Sequence, residues 1–416
     1  MAQLSDDCFA FGGDLLSMTA ALERVSTIEA AVASECVPLK AARGRILAAP
    51  LVAAMNVPPH ANSAVDGYAV AFDDLRPNEP TTLLIGGRAA PGRALGQAAR
   101  RSEAVRIFTG APMPEGLDTV LMQEDCTEAD GTVTIPPGIR RGANRRHAGE
   151  DVKAGSTVLV PGRRLRPQEI GLAASLGITA LPVYRRLRVA VFSTGDEVRD
   201  PGTPLPPSAI YDANRYVLAA LLEGLGAAVT DLGIIPDRQA SIDEALAGAA
   251  RDHDLILTSG GMSTGEGDHV KGAVEARGKL HFWRLAIKPG RPVAMGQIGR
   301  VPFMGLPGNP VAVMVTFLIL ARPLILRLAG AVDLAPRRFR VVAGFEHNKR
   351  SNRREYVRAR LEAGEGGWVA RKFPRDGAGI LSSMVESEGL VEIGEGISAT
   401  KPGDVVDFLP FSEVIE

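Results

Sequence analysis

One stretch of this 416-residue chain concentrates residue types that do chemistry: Thr258-Ser259-Gly260-Gly261-Met262-Ser263-Thr264-Gly265, followed by Glu266-Gly267-Asp268-His269. Small hydroxyl side chains interleaved with glycine let backbone N–H groups approach a phosphate closely. The spacing is neither a Walker loop nor a dinucleotide fingerprint. Asp268 is a hard oxygen donor of the kind that holds Mg²⁺, a cation that often bridges phosphates. Two further loops share this texture. Ser193-Thr194-Gly195-Asp196-Glu197 brings small residues and two carboxylates together. Gly305-Leu306-Pro307-Gly308-Asn309-Pro310 opens a helix, with Asn309 suited to the N-cap and Pro310 to the first helical position. Between them, Lys288-Pro289-Gly290-Arg291-Pro292 holds two cations on a stiff turn. Together these loops describe an anion pocket with carboxylates nearby, fit for chemistry on a phosphate or an oxyanion.

A rival reading starts from Gly261-Met262-Ser263-Thr264-Gly265, which fits the G-x-S-x-G pattern of a nucleophile elbow. A hydrolase of that kind needs a later Asp and His. Asp268, His269 and His281 follow too closely for the usual topology, which leaves only His347. Short patterns of this sort match often by accident. Earlier in the chain, Asn62-Ser63-Ala64-Val65-Asp66-Gly67-Tyr68-Ala69 sets an acid in a tight turn. Thr109-Gly110-Ala111-Pro112 is a second small-residue turn, and Asn144-Arg145-Arg146 with Gly149-Glu150-Asp151 mixes cations and acids. Taken singly, each is ordinary turn chemistry.

The elements around these loops must hold them. From Arg188 to about Gly330 the pattern alternates strand and helix. The strands are Val189–Ser193, Ala227–Leu232, Leu255–Thr258 and Pro302–Gly305; Val189–Ser193 is a continuous apolar run of the kind covered on both faces, and Leu255–Thr258 reads as buried. The helices are Asn214–Gly224, Ser241–Ala250 with Ser241 as N-cap, and a long one ending near Leu328. Such alternation specifies a parallel α/β sandwich, whose ligands bind at the carboxyl ends of the strands. Helical texture over Ser17–Ser34 resumes at Pro167–Leu176. Between them Thr82–Ile85, Ala104–Phe108 and Thr132–Ile135 read as strands of an inserted β-rich module. After Ala335 the runs Arg338–Gly344, Glu355–Glu362, Trp368–Phe373, Leu390–Ile393 and Asp404–Leu409 read as a small β-barrel. The expected division is a split helical domain (1–56 and 150–184), the inserted β module (57–149), the α/β domain (185–330) and the barrel (331–416).

Composition narrows the function classes. Lys+Arg number 47 against Asp+Glu 48, which disfavours a dedicated nucleic-acid binder. The 46 glycines and 29 prolines suit a turn-rich, multi-domain protein. Cys8, Cys36 and Cys126 form no CxxC pair, and an odd count argues against a secreted disulfide framework. Asp6 and Asp7 stand where a signal peptide would want cations. The most apolar stretch, Val311–Leu320, is expected to stop at Arg322-Pro323, too short to span a bilayer. A cytoplasmic protein without membrane contact is the expectation.

In combination and order, SAVDGYA, TGAP, NRRHAGED, STGDE, IYDANR, SGGMSTGEGDH, KPGRP and GLPGNP resemble the molybdopterin molybdenumtransferase family, whose animal member is the C-terminal domain of gephyrin. The resemblance runs from about Ser17 to the end. It implies four subdomains in the order read above and the insertion of molybdate into the dithiolene of adenylylated molybdopterin, with Mg²⁺-dependent release of AMP. It places Asp66, Thr109, Asp151, Glu197, Asp237, Asp268, Lys288 and Arg291 at or near the site. The resemblance further implies pterin phosphate and pyrophosphate on the loops carrying Ser193, Thr194, Gly195, Ser259, Gly260, Gly261, Ser263, Pro307, Gly308, Asn309 and Pro310. Lys288 and Arg291 would hold molybdate, and Asp196, Glu197 and Asp268 would hold Mg²⁺. A homodimer whose sites are shared between chains is implied too, with the adenylyltransferase and molybdoenzyme-maturation proteins as further partners. Two positions depart from the family pattern: Arg145 replaces an aliphatic residue, and Arg291 a lysine. The alternatives are a non-catalytic gephyrin-like scaffold and a molybdopterin adenylyltransferase. The intact acids and cations of the pocket loops argue against the first, and the inserted module and barrel are superfluous to the second.

Overall fold

The structure, a computed structural model, describes residues 15–260 and 269–415; Gly261, Ser263 and Asp268 lie outside the described residues. The chain forms two compact units. One holds the chain up to Ala48, Pro161–Arg166 and everything from Leu181 onward; the other holds Ala49–Val160 and Pro167–Ala180. The helices Met18–Ser26 and Pro167–Ser175 are nine residues each and fall in different units. The first stops short of the expected Ser34, where a strand, Ser34–Pro38, begins instead.

The unit built around residues 49–160 carries a six-stranded sheet in the order Thr119–Met122, Gly67–Val70, Glu103–Ile107, Thr81–Ala89, Thr132–Ile135, Thr127–Ala129. Both of its faces are covered. Tyr68, Val70 and Leu121 pack on one side, and Ala69, Val105 and Val120 on the other. Gly67 directly follows Asp66, and a Cβ there would sit 1.7 Å from the Leu121 carbonyl oxygen. Only glycine lets the Asp66 turn lie this close to its neighbouring strand.

The other unit contains the α/β sheet, in the order Ala228–Ile235, Arg188–Thr194, Leu255–Ser259, Val301–Leu306, Pro292–Ile298, Gly278–Arg284. The first four strands are parallel, as expected from the strand–helix alternation. The reason for the apolar run Val189–Ser193 is visible along that strand. Val189 and Val191 enter one core, while Ala190 and Phe192 enter the other, on the opposite face. The last two strands are antiparallel and extend the sheet beyond the expected four. Helix Gln239–Asp252 starts two residues before the expected Ser241, and Arg238 occupies its N-cap without a side-chain bond.

The long helix ends where expected, at Leu328, but the apolar stretch inside it is not ended by Arg322-Pro323: Pro310–Leu328 is continuous, 19 residues of mean hydropathy 2.1. A π-helical segment, Phe317–Ala321, precedes Pro323 and absorbs the backbone bond that proline cannot make. The helix is long and apolar enough to cross a membrane, but 83% of it is buried inside the protein. It is the shared core between sheet and barrel: Val311, Val315 and Leu324 pack in one cluster with Leu257, Met304, Tyr356, Leu390 and Leu409.

The barrel forms from the five strands expected. Arg354–Gly364 pairs with both Gly367–Lys372 and Gly389–Ile393, and Phe339–Ala343 and Val405–Pro410 close the circuit. A sixth segment joins from outside: Ile287–Lys288 adds in parallel to Arg354–Gly364, with Ile287 opposite Arg354 and Lys288 opposite Glu355. This ladder fastens the cation turn to the barrel wall.

Candidate active site

Three of the expected loops converge at the carboxyl ends of their strands. Ser193 lies in register with Ser259, and Ser259 with Leu306. Ser193, Thr194 and Ser259 are buried. The Ser259 hydroxyl donates to the Pro307 carbonyl at 3.3 Å, and the Gly260 N–H to the Leu306 carbonyl at 3.3 Å. Gly260 takes a left-handed φ of +85°, which turns the chain out of its strand. Asn214, at the start of its helix, ties these ends together. Its amide donates to Ser259 Oγ at 2.8 Å and to the Gly308 carbonyl at 2.7 Å. Asn309 does occupy the N-cap and Pro310 the first turn, although the Asn309 side chain makes no cap bond. The Val311 N–H donates instead to the Ala378 carbonyl from the barrel, 2.9 Å away. On the far side of the first strand, Thr194 Oγ1 lies 3.4 Å from Asp237 Oδ1, so Asp237 joins the same strand-end cluster.

These loops border a cleft of about 530 Å³. Glu197, Gly260, Lys288, Pro289, Gly290, Pro307, Gly308 and Asn309 line its α/β side. Arg291 is exposed and is not among the lining residues, although it belongs to the same turn. The opposite wall comes from the barrel: His347, Glu355, Tyr356, Arg358, Lys372 and Asp376. None of these six was singled out from sequence as part of the pocket. A charged residue in a strand usually faces solvent, yet Glu355, Arg358 and His347 are buried. The available signal was Glu355 and Arg358 on either side of the apolar pair Tyr356-Val357, which a strand at a solvated edge would also show.

The wall is a continuous polar network. Lys372 Nζ lies 3.2 Å from His347 Nδ1. Since an ammonium cannot accept, Nδ1 accepts here, and Nε2–H donates to Glu355 Oε2 at 2.8 Å. Arg353 Nε donates to the other carboxylate oxygen at 2.7 Å. Lys288 Nζ stands 3.6 Å from Glu355 Oε2, close enough for charge but beyond hydrogen-bond reach. Burial pushes the Glu355 carboxyl up, but the hydrogen bonds from His347 and Arg353 and the charge of Lys288 outweigh it and hold it below the usual carboxylate range. Asp376 is likewise lowered: burial raises it, and Lys372, Lys288 and His347 more than offset that. Arg358 donates to Ser383 Oγ at 3.0 Å and to the Arg375 and Gly377 carbonyls at 3.3 and 3.2 Å, which pins the cleft's outer loop.

Asp66, Thr109 and Asp151 lie in the other unit. There Asp66 Oδ1 accepts from both the Thr109 N–H at 2.7 Å and the Thr109 hydroxyl at 2.8 Å. These bonds, with the backbone one the stronger, hold the half-buried Asp66 carboxyl below its ordinary value. Asp151 is exposed, its N–H bonded to the Val57 carbonyl at 3.0 Å. Thr109→Val keeps the N–H and removes the hydroxyl, so the Asp66 carboxyl should titrate at higher pH in an NMR titration. An unchanged midpoint would show that the hydroxyl does not hold the acid in solution.

Three family descriptions match the chain in succession: MoeA N-terminal region (domain I and II) over residues 16–177, probable molybdopterin binding domain over 190–327, and MoeA C-terminal region (domain IV) over 340–411. The molybdopterin molybdenumtransferase of Haemophilus influenzae is 39% identical over 92% of this chain and 95% of its own length. The chain belongs to the molybdopterin molybdenumtransferase family. Molybdopterin molybdenumtransferase 2 of Mycobacterium tuberculosis is 36% identical over 88% of this chain and 92% of its own. Among solved structures, a molybdopterin biosynthesis MoeA protein from Pyrococcus horikoshii matches with a TM-score of 0.82 and 28% identity, covering 95% of this chain and all of that one. For a molybdenumtransferase-family chain, the strand-end cleft of the α/β domain is thus the natural place to look for pterin chemistry.

Proposed function

We propose that the chain inserts molybdate into the dithiolene of adenylylated molybdopterin and releases AMP. The observation that carries this reading is the cleft itself, in which glycine- and serine-rich strand ends face a lysine-bearing turn across about 530 Å³. Backbone groups of Ser259-Gly260 and Pro307-Gly308-Asn309 suit the phosphates. Lys288 suits a small dianion. Water adds to a phosphorus of the phosphoanhydride, one P–O bond breaks, and AMP leaves. In this reading Asp237 and Glu197 would position that water and take its proton, with Asp66, Thr109 and Asp151 completing the site from a second chain of a homodimer.

The reaction's Mg²⁺ asks for hard oxygen donors, usually one or two carboxylates completed by substrate phosphates. No group of three metal-ligating side chains exists among the described residues, but Glu197 lines the cleft and fits that economy of ligands. Asp196, Glu197 and Asp268 are the residues that would hold the ion. Bound there, it would neutralise charge on the phosphoanhydride. The four-part division of the chain, the cytoplasm as its compartment, and the adenylyltransferase and maturation proteins as further partners belong to the same reading.

The test is incubation with adenylylated molybdopterin, Mg²⁺ and molybdate, following AMP. Molybdate-dependent AMP release is expected, and its absence would sink the reading. In the same assay Lys288→Ala should raise the molybdate concentration for half-maximal rate by roughly tenfold or more. That corresponds to a charge-assisted bond of about 1.5–3 kcal/mol, taken near its lower end because Lys288 is half-exposed. Arg291→Ala should do less, since its side chain lies outside the cleft lining. Equal loss of pterin and molybdate binding would mean that this turn grips the nucleotide instead.

A further inference from the structure

An anion pocket has little use for a buried carboxylate, yet Glu355 is 2% exposed and lines the cleft. It is also immobile. His347 and Arg353 each hold one of its oxygens, and the ladder to Lys288 fixes its backbone. Lys288, by contrast, is half-exposed and 3.6 Å away, too far to be anchored by a hydrogen bond. What Glu355 delivers to Lys288 is therefore charge and little positioning.

We propose that Glu355 is an electrostatic counterweight: a fixed negative charge beside the pocket lysine that weakens the grip of the cleft on small dianions, so that sulfate or phosphate does not fill it. The proposal rests on the oxyanion reading of the cleft. Lys288, Arg358 and Lys372 bring three cations to its lining, against the carboxylates of Glu197, Glu355 and Asp376. Without Glu355 the balance tips toward positive, and any dianion of the right size gains. Because Glu355 keeps its place through His347 and Arg353 whether or not Lys288 moves, the counterweight is built in and does not depend on the ligand.

The experiment is direct titration of molybdate and of sulfate, at ionic strength fixed with chloride, into wild-type protein and Glu355→Gln. Glutamine keeps an oxygen to accept from His347 and removes the charge. Both dianions should bind Glu355→Gln about tenfold more tightly, the scale expected for one unit charge a few ångströms away in a half-solvated cleft. Sulfate should also become an inhibitor of AMP release at about tenfold lower concentration. Glu355→Asp, which retains the charge, should stay near wild type. Removing the carboxylate strands the Arg353 cation, so the Arg353→Gln, Glu355→Gln pair carries the test if the single variant does not fold, and it should show a gain in the same direction. Unchanged or weaker dianion binding in the folded variants would overturn the counterweight and leave the pocket standing. A wild-type protein that binds neither dianion, even with the nucleotide present, would overturn the pocket and the counterweight together.

Discussion

Asp66→Asn and Asp268→Asn proteins should each be inactive alone, and refolded together they should recover about a quarter of wild-type AMP release. Asp66 is half-buried, and two hydrogen bonds from Thr109 hold its carboxyl below its ordinary value. Asparagine there preserves size and most of the turn while deleting the charge. Asp268, which follows the Ser259-Gly260 loop in sequence, is assigned to the other half of the proposed site. If a second chain contributes Asp66 to the cleft of the first, random pairing makes roughly half of all dimers mixed. Each mixed dimer has one site built from two unmutated halves. If every site were built within a single chain, each would still carry a mutation, and mixing would restore nothing. Subunit exchange is checked separately, by native mass spectrometry of differently labelled chains, so a null result would count against the shared site and not against the mixing.

Gly290→Ala should lower the stability of its unit by about 2–5 kcal/mol and disable the cation turn with it. Gly290 has φ +100°, where a side chain costs about 1–2 kcal/mol. A Cβ would lie 2.1 Å from Thr316 Oγ1 and 3.3 Å from the Ala312 carbonyl oxygen. Thr316 is fully buried in the long core helix, so relief requires moving the helix or the turn, an overpacking cost of about 1–3 kcal/mol. Lys288 sits two residues away and would shift with the turn. The companion variant Gly290→Ala, Thr316→Ala removes the atom in the way. It should regain the steric part and leave the backbone strain, a non-additivity measurable in urea titrations of the four proteins of the cycle. Additive losses would place the damage elsewhere.

Much of this architecture was readable in advance, for reasons that specific residues make plain. Val189–Ser193 and Leu255–Thr258 are buried on both faces, so their sequences carry no polar alternation and could only be central parallel strands. Asn309-Pro310 marked a helix start through the geometry of proline itself. Gly278–Arg284 and Pro292–Ile298 escaped notice because strands that end an α/β sheet lack the intervening helix that signals the others. The end of the helix Pro310–Leu328 was legible, but the continuity of its apolar run through Pro323 was not, because the proline's usual effect is cancelled by a local π turn that no residue pattern announces. The barrel wall of the cleft was missed for a different reason. Glu355, Arg358 and Lys372 are charged residues on strands, and what makes them interior is the closure of a barrel and its seating against a helix far away in sequence. Only the packed chain displays that.

The parallel ladder between Lys288 and Glu355 has a consequence for the order in which the protein comes into being. The cation turn is synthesised early, with the α/β domain, but the wall it is fastened to belongs to a barrel whose circuit is closed by Val405–Pro410. Until that strand emerges, Phe339–Ala343 and Gly389–Ile393 each keep an unpaired edge, and the cleft has one side. A nascent chain interrupted before that point would display its strand-end loops and cation turn without the closed wall that faces them. Closure of the barrel by Val405–Pro410 is thus the step that completes the second wall of the cleft.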